Sequence, residues 1–558
     1  MKNIKIKIVL VCAVAVLGYS CSKKIDEAYA NPNADVRVPV EALLPQIISA
    51  MAANYAGHGT MQDIRFIGAY VQNWQYYATQ SVYDRMGYTN SAGDVGQSTW
   101  RMHYYDIGQN NMRMIQWATE EKKWDYVGVG KAIFAWSWLT LTDYYGDVIL
   151  KEAFNTSLVT FKYDTQPEVY EYVKQLCFEA LDNLNKTGDN VSAGNLAKGD
   201  AFMYGGDVNK WKKFVYGVLA RYYNHQSNKA SYKPDSVIYY CNLSINDNAD
   251  NAMVKFAGTA ISATNNYFGP LRGNLGANAT SASPVAIRQG AYAANLMKGS
   301  NSAFPGVFDP RAWYMLRGNA NGTIVGVEPN KGQGVLDPND RPENFWGVAQ
   351  KGTATATPPY SDHANNTAPS SDANARYIFR NTSPFPIMTA SEIKFMKAEA
   401  AFRKNDKATA LAAYQEGIAL DFDMLTTTYA NNVPTDKVIT AATKAAYLAN
   451  PLVVPASGAL TMSMIMLQKY IALYGYGILE TWVDMRRYHY TDSYQGGQVY
   501  ADFTPPSGGD LYPDNGGKLV YRVRPRFNSE YVWNILELQR IGATNLDYHT
   551  MEMWFSKP

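Results

Sequence analysis

The chain has 558 residues, 47% of them hydrophobic and 18% charged, with a formal net charge of +2. This composition belongs to a globular body and excludes a disordered, collagen-like or disulfide-rich chain, while the near-neutral charge leaves no basic excess for nucleic acid. Aromatic residues reach 13%, with 42 tyrosines, and tyrosine serves both cores and surfaces that recognise ligands through an apolar ring and a polar tip.

The start reads as an export signal. Lys2, Lys5 and Lys7 precede an apolar run at 8–17, which is shorter than the roughly 20 residues that span a bilayer. Leu17, Gly18, Tyr19, Ser20 and Cys21 follow as a lipobox-like step. It departs from the usual pattern in the distance of Leu17 from the cysteine and in the bulk of Tyr19. The expected organisation is a signal peptide at 1–20, a tether at 21–37 lipidated on Cys21, and a single domain at 38–558. Acyl chains on Cys21 would anchor the protein to a membrane without crossing it. Asn31, Pro32 and Asn33 mark a turn within the polar tether.

From Pro39 an apolar stripe runs through Leu43, Leu44, Ile47, Ile48 and Met51 with the period of a helix. Between Gly59 and Gly87 lies an aromatic stretch containing Asn73, Trp74, Tyr76, Tyr77, Tyr83 and Arg85. Its adjacent rings cannot all face one core, so they are candidate ligand platforms beside fixed polar partners. Helices are predicted at 100–117, through Tyr104, Ile107, Met114 and Ile115, and at 127–143, which is apolar on several sides and reads as buried. The turn Asp143-Tyr144-Tyr145-Gly146-Asp147 follows, and capping accounts for both carboxylates. Residues 167–184 carry the stripe Tyr170, Val173, Leu176 and Cys177. Asp207, after Gly205 and Gly206, is an N-cap for a helix striped by Trp211, Phe214, Val215, Val218, Leu219 and Tyr222.

Residues 242–384 change character. Gly, Asn, Ala, Ser, Thr and Pro dominate and helical period disappears, the pattern of loops and short strands in which binding residues concentrate. Tyr267, Arg272, Tyr292, Trp313, Arg341, Trp346 and Tyr360 are the large side chains here. Trp346 and Tyr360 are the preferred ligand contacts, with Tyr267 and Arg341 beside them. The runs around Asn246–Asn251 and Asp337–Asp340 lack the glycine and glutamate of a calcium loop and read as solvated.

Thr389 and Glu392 form a capping-box pattern that opens a helix through Ile393, Phe395, Met396 and Ala400. Asn405 and Asp406 turn the chain into a second helix through Ala408, Leu411, Tyr414 and Ile418. This pair is similar to a tetratricopeptide unit, which needs stacked neighbours to hide its apolar face. In 465–490 the stripe Leu467, Tyr470, Ile471 and Tyr474 breaks at Gly475 and Gly477 and resumes at Leu479, Trp482 and Val483, ending in Arg486 and Arg487.

Four regions carry a family resemblance: the Asp143–Val148 turn, the segment from Gly206 to Arg221, the helix pair after Thr389, and the glycine-split helices of 465–490. In this order they resemble the SusD/RagB family, the nutrient-binding outer-membrane lipoproteins of Bacteroidetes. Ile149 stands where that family usually has proline. Tyr521 to Arg526 resembles the stretch that precedes the family's final turns. The resemblance implies a mainly α fold: a tetratricopeptide-like helix-pair scaffold (38–241 and 385–490), a loop-rich, little-strand ligand-face insertion (242–384) and a C-terminal segment (491–558). It further implies capture of an oligosaccharide at the cell surface, delivery to a SusC-like TonB-dependent transporter, and attachment to the outer membrane through Cys21. No cofactor, metal, nucleic acid or catalysis is expected. The implied ligand contacts are Asn73, Trp74, Tyr76, Tyr77, Arg85, Tyr267, Arg341, Trp346 and Tyr360. Trp313, in the Asp309-Pro310-Arg311 turn region, is implied to be a core anchor, as are Trp211, Trp482, Arg486 and Arg487 by their stripes.

The residues themselves point away from chemistry. The six histidines show no helical metal-pair spacing, and there is no G-x-S-x-G elbow or phosphate-binding loop. Cys177 and Cys241 lie in apolar helical sequence and read as buried thiols. Peptide binding on the same fold, and a secreted glycosidase with an unrecognised carboxylate pair, are the two alternatives.

Overall fold

The structure is a computed structural model that describes residues 37–55, 63–76, 84–86, 98–261, 264–272, 275, 287–347, 371–525 and 527–558. The signal, Cys21, Tyr77, Tyr83 and Tyr360 lie outside them.

Helical period in the sequence becomes helix at each predicted place. Helix α1 spans Val40–Tyr55 and α2 Asp63–Tyr70, which leads directly into strand β1, Trp74–Tyr76. The helix expected at 100–117 runs from Ser98 to Glu120, but Met102–Gln109 is π-helical and only its second half, α3 (Asn110–Glu120), is regular. Gly108 sits in the π segment because a Cβ there would meet the ring of Phe154 at 2.4 Å. Helix α4, Trp124–Tyr145, is buried on nearly every side and stops at Gly146, whose φ of +86° suits a residue without a Cβ. Helix α5, Gln166–Asn185, opens with a full capping box of Thr165 and Glu168, a start signal not read from the sequence. Asp207 caps α6, Val208–His225, as predicted, accepting from the amides of Asn209 and Lys210 at 2.9 and 3.2 Å. Helix α7 is Pro234–Leu243, with proline in its first turn, where the missing N–H has no partner to lose.

Between α7 and residue 384 the described elements are short. Strand β2 (Ala252–Val254), strand β3 (Ile287–Gln289) and strand β4 (Phe385–Met388) make two-stranded antiparallel pairs, β1 with β3 and β2 with β4. Trp74 stands opposite Gln289 and Tyr76 opposite Ile287. Helix α8, Ala390–Arg403, makes half of its expected capping box. The Thr389 hydroxyl accepts from the Glu392 amide, but the Glu392 carboxylate turns inward to Arg221, 2.6 and 2.8 Å away, because an ionised guanidinium is a stronger partner for a carboxylate than a neutral amide. Helices α9 (Lys407–Thr428), α10 (Met462–Ala472) and α11 (Ile478–Arg487) complete the scaffold, with Gly475 at φ +81° between the last two.

The helices pack as successive pairs, α4 with α5, α6 with α7 and α8 with α9. Each pair also lies on the next, α5 on α6 and α7 on α8, with α3 flanking α4 and α10 flanking α8. This stacking hides apolar faces that no single pair could hide alone. The result is a mainly α fold around one continuous core that includes Trp74, Trp136, Trp211, Trp346 and Trp482, all essentially inaccessible to water. At about 25 cal/mol per Å2 of apolar area, each such ring contributes several kcal/mol to the folded state. A smaller cluster of Ile149, Tyr163, Leu538, Ala543 and Tyr548 ties the C-terminal segment to the turn after α4.

Candidate functional site

The fold brings most of the predicted ligand contacts into one region and packs them. Trp74 in β1 is fully buried, its indole N–H donating to the Arg65 carbonyl at 3.0 Å and its ring meeting Phe268 and Phe345 edge-on. Gly68 in α2 makes room for it, since a Cβ there would lie 2.2 Å from the indole nitrogen. Asn73 accepts from the Gly475 amide at 2.9 Å and so joins β1 to the glycine corner between α10 and α11. Tyr76 is buried, and desolvation pushes its phenol well above its ordinary value despite nearby Arg65. Trp346 is also buried, donating to the Phe268 carbonyl at 2.8 Å, beside Phe345 stacked on Phe379 at 4.3 Å between centroids. Tyr267 shares a hydrogen bond with Ser49 and lies under the Arg272 guanidinium. Arg341 is buried, with Nε donating to the Leu336 carbonyl at 3.1 Å.

Seven of the nine sequence-predicted contacts are therefore placed, and six of these are buried in this arrangement. The seventh, Arg85, is half-buried with its guanidinium over the Tyr512 ring at 4.6 Å. Trp74, Phe268, Phe345 and Trp346 form a rigid aromatic knot. Trp313 stands under Lys437, and its neighbour Arg311 is buried among Asp309, Asp421 and Gln468. Trp211, Trp482, Arg486 and Arg487 are buried too, as the stripes predicted.

A network of buried charges lies inside the scaffold. His225 in α6 sits between Asp143, 3.0 Å from Nδ1, and Glu480, 2.6 Å from Nε2. Burial opposes charge on this imidazole, but Glu480 and Asp143 prevail and raise its pKa to about 9. Arg221 bridges Glu392 and Glu480, while Arg487 pairs with Glu399 at 2.7 and 2.9 Å and with Asp484 at 2.6 Å. Lys469 completes the lattice at 2.7 Å from Asp484. The carboxylates of Glu480 and Glu399 are held well below the usual range, since their cation partners outweigh the burial that would raise them. The beside-lying cavity has room for about one water, near 20 Å3. These charges lock α6, α8, α10 and α11 together, and local pattern marks Asp143 and Glu392 only as caps, with no sign of the distant cations that hold them.

Among the described residues no group of three or more His, Cys, Asp or Glu could hold a metal ion, and no helix is long and apolar enough to cross a membrane. Cys177 and Cys241 are free and buried, and burial pushes the Cys241 thiol up to about 12. An open groove over α4 and α5, with half-exposed aromatic rings, lies apart from the aromatic knot.

A family model described as SusD-like, starch-binding and associating with the outer membrane matches residues 32–274 and 339–501. Among solved structures, a SusD/RagB family protein from Bacteroides thetaiotaomicron is 20% identical with a TM-score of 0.64, over 93% of this chain and 99% of that one. A chitin-binding protein is 20% identical, with a TM-score of 0.63 and the same coverage. A chitin-binding SusD homologue from Flavobacterium johnsoniae is 16% identical, with a TM-score of 0.60 over 93% of this chain and 98% of that one. No curated protein matches the chain.

Proposed function

We propose that this chain, which belongs to the SusD-like family, is a cell-surface lipoprotein that binds oligosaccharide and hands it to a SusC-like TonB-dependent transporter. The family match over both halves of the scaffold carries this reading, because the matched family is described as starch-binding and outer-membrane associated. The chitin-binding description of two structural relatives supports a glycan as the ligand class. Attachment would be through acyl chains on Cys21, and the packed helix pairs would offer the transporter a surface that does not deform on contact.

The ligand face is proposed where β1 and the Phe345–Trp346 turn meet. Buried Asn73, Trp74, Tyr76, Tyr267, Arg341 and Trp346 serve there as its rigid foundation, with half-buried Arg85 as a candidate contact, while Tyr77 and Tyr360 lie outside the described residues. A foundation of locked rotamers holds contacting groups in place at low entropic cost. Isothermal titration of the purified protein with maltoheptaose, chitohexaose and a peptide digest tests this. Saturable heat with at least one oligosaccharide is expected. Heat with the peptides alone would replace the glycan reading by peptide capture, and cleaved sugar after prolonged incubation would overturn the binding-only role.

A further inference from the structure

A groove of about 1190 Å3 lies between α3, α4, α5 and the turn at 150–154, on the helical scaffold. Its floor is Trp138 and Phe134, both buried. Its walls are half-exposed rings: Phe154, Tyr172, and Phe178 with 47% of its surface open to water. Phe154 is held at φ +64°, a strained conformation for an aromatic residue, with its ring lodged against Gly108 of the π-helical turn. The same ring is the partition to a neighbouring pocket of about 290 Å3 lined by Trp100, Tyr104 and Phe161. Two concavities thus share one aromatic wall.

The rim decides what fits. Glu168, Glu171, Gln175 and Glu179 recur at three- and four-residue steps and so line one edge of α5. Each carboxylate has a cation partner: Lys151, which Asp164 also holds at 3.1 Å, for Glu168, Lys174 for Glu171 and Lys131 for Glu179. With Asp164 the set is four carboxylates against three ammoniums, every ammonium already paired, so the rim offers no free cation to an anionic partner and only a weak field to a cationic one. An apolar protein segment would have to strip water from these paired charges and return no hydrogen bonds, which is costly. A neutral polyhydroxylated ligand meets both demands. Its hydroxyls donate to the carboxylates and accept from Lys151, Lys174 and Gln175, while its C–H faces lie on Tyr172, Phe178 and Phe154.

We propose that this groove is a glycan-binding subsite, separate from the face built on β1, in which Tyr172 and Phe178 are the stacking rings and the α5 rim supplies the hydrogen bonds. The inference rests on the glycan-binding reading above. Its test is titration of the purified protein and its Tyr172→Ala/Phe178→Ala variant with maltoheptaose and chitohexaose, together with hydrogen exchange over Gln166–Asn185. Both substituted side chains are partly exposed, so the variant is expected to melt close to the parent. The expected result is loss of one of two sites, or an affinity drop of about tenfold or more for the removed ring contacts. Glycan-induced protection in α5 should disappear with it. If the parent binds an oligosaccharide but the variant gives the same isotherm, and α5 gains no protection, the groove assignment is overturned while the glycan function stands. Binding of neither sugar by the parent removes both readings. Concentration-dependent dimerisation of the parent that the variant abolishes would give the groove to a second copy of the chain and overturn the proposal.

Discussion

Glu399 is the most heavily partnered carboxylate in the scaffold, and its removal is a sharp test of how the helices are held. It accepts from Arg487 at 2.7 and 2.9 Å, from the Tyr488 hydroxyl at 2.6 Å and from Asn224 at 3.0 Å, with Arg403 at 3.4 Å, and it has no exposed surface. In Glu399→Ala the Arg487 guanidinium keeps Asp484 and Ser227 but loses its bidentate partner inside the core. Breaking a buried pair from one side costs roughly 3–5 kcal/mol. At about 2.1 cal/mol/K per residue, a body of this size unfolds with an entropy near 1 kcal/mol/K, so the expected fall in melting temperature is about 3–5 °C. Differential scanning calorimetry at fixed scan rate reads it. The double variant Glu399→Leu/Arg487→Met removes both charges and is expected to recover much of the loss, since an apolar pair of similar volume is often neutral or better. A fall below about 1 °C in the single variant, or a double variant no better than the single one, would refute the view that this pair is an interdependent buried unit.

Three further outcomes follow from the same geometry. His225 has a folded pKa of about 9 against its ordinary 6.5, so its contribution is complete below pH 6.5 and is lost as pH rises through 9. The parent's melting point should therefore decline across pH 6.5–9 by the equivalent of up to about 3 kcal/mol, and His225→Gln should flatten that slope; equal slopes would sink the assignment. Gly206→Ala, where a Cβ would lie 2.7 Å from both the Ala193 carbonyl oxygen and the Ala197 nitrogen, should destabilise more than Gly205→Ala, which meets nothing within 4 Å and bears only the roughly 1–2 kcal/mol of a left-handed backbone; urea midpoints compare them. Trp74→Ala should lower stability by about 3–5 kcal/mol because its ring is core, and a Trp74→Ala protein that melts like the parent would contradict its burial.

The helical scaffold was legible in the sequence because an amphipathic helix repeats every 3.6 residues and marks its own ends. The stripe from Trp211 to Tyr222 with Asp207 before it, and the break at Gly475, needed no knowledge of neighbours. Departures occurred where a distant partner intervened. Glu392 was expected to cap its own helix, yet Arg221, far away in the chain, holds it. The helix around Met102–Gln109 takes a π turn alongside the Phe154 ring, which packs on Gly108.

The rings of the candidate site show the same division more plainly. That Trp74, Tyr76 and Trp346 are large and aromatic is written in the chain, but their direction is not. A three-residue strand and a loop carry too few repeats to reveal a face, and β1 is covered on both sides, so Trp74, Gln75 and Tyr76 are all buried. The groove over α5 divides likewise: the spacing of Glu168, Glu171, Gln175 and Glu179 puts them on one edge by local geometry alone, whereas Phe154 reaches them only through tertiary packing. Local period is set by backbone sterics within a few residues, and exposure is set by whatever arrives from elsewhere in the chain, which no short window of sequence contains.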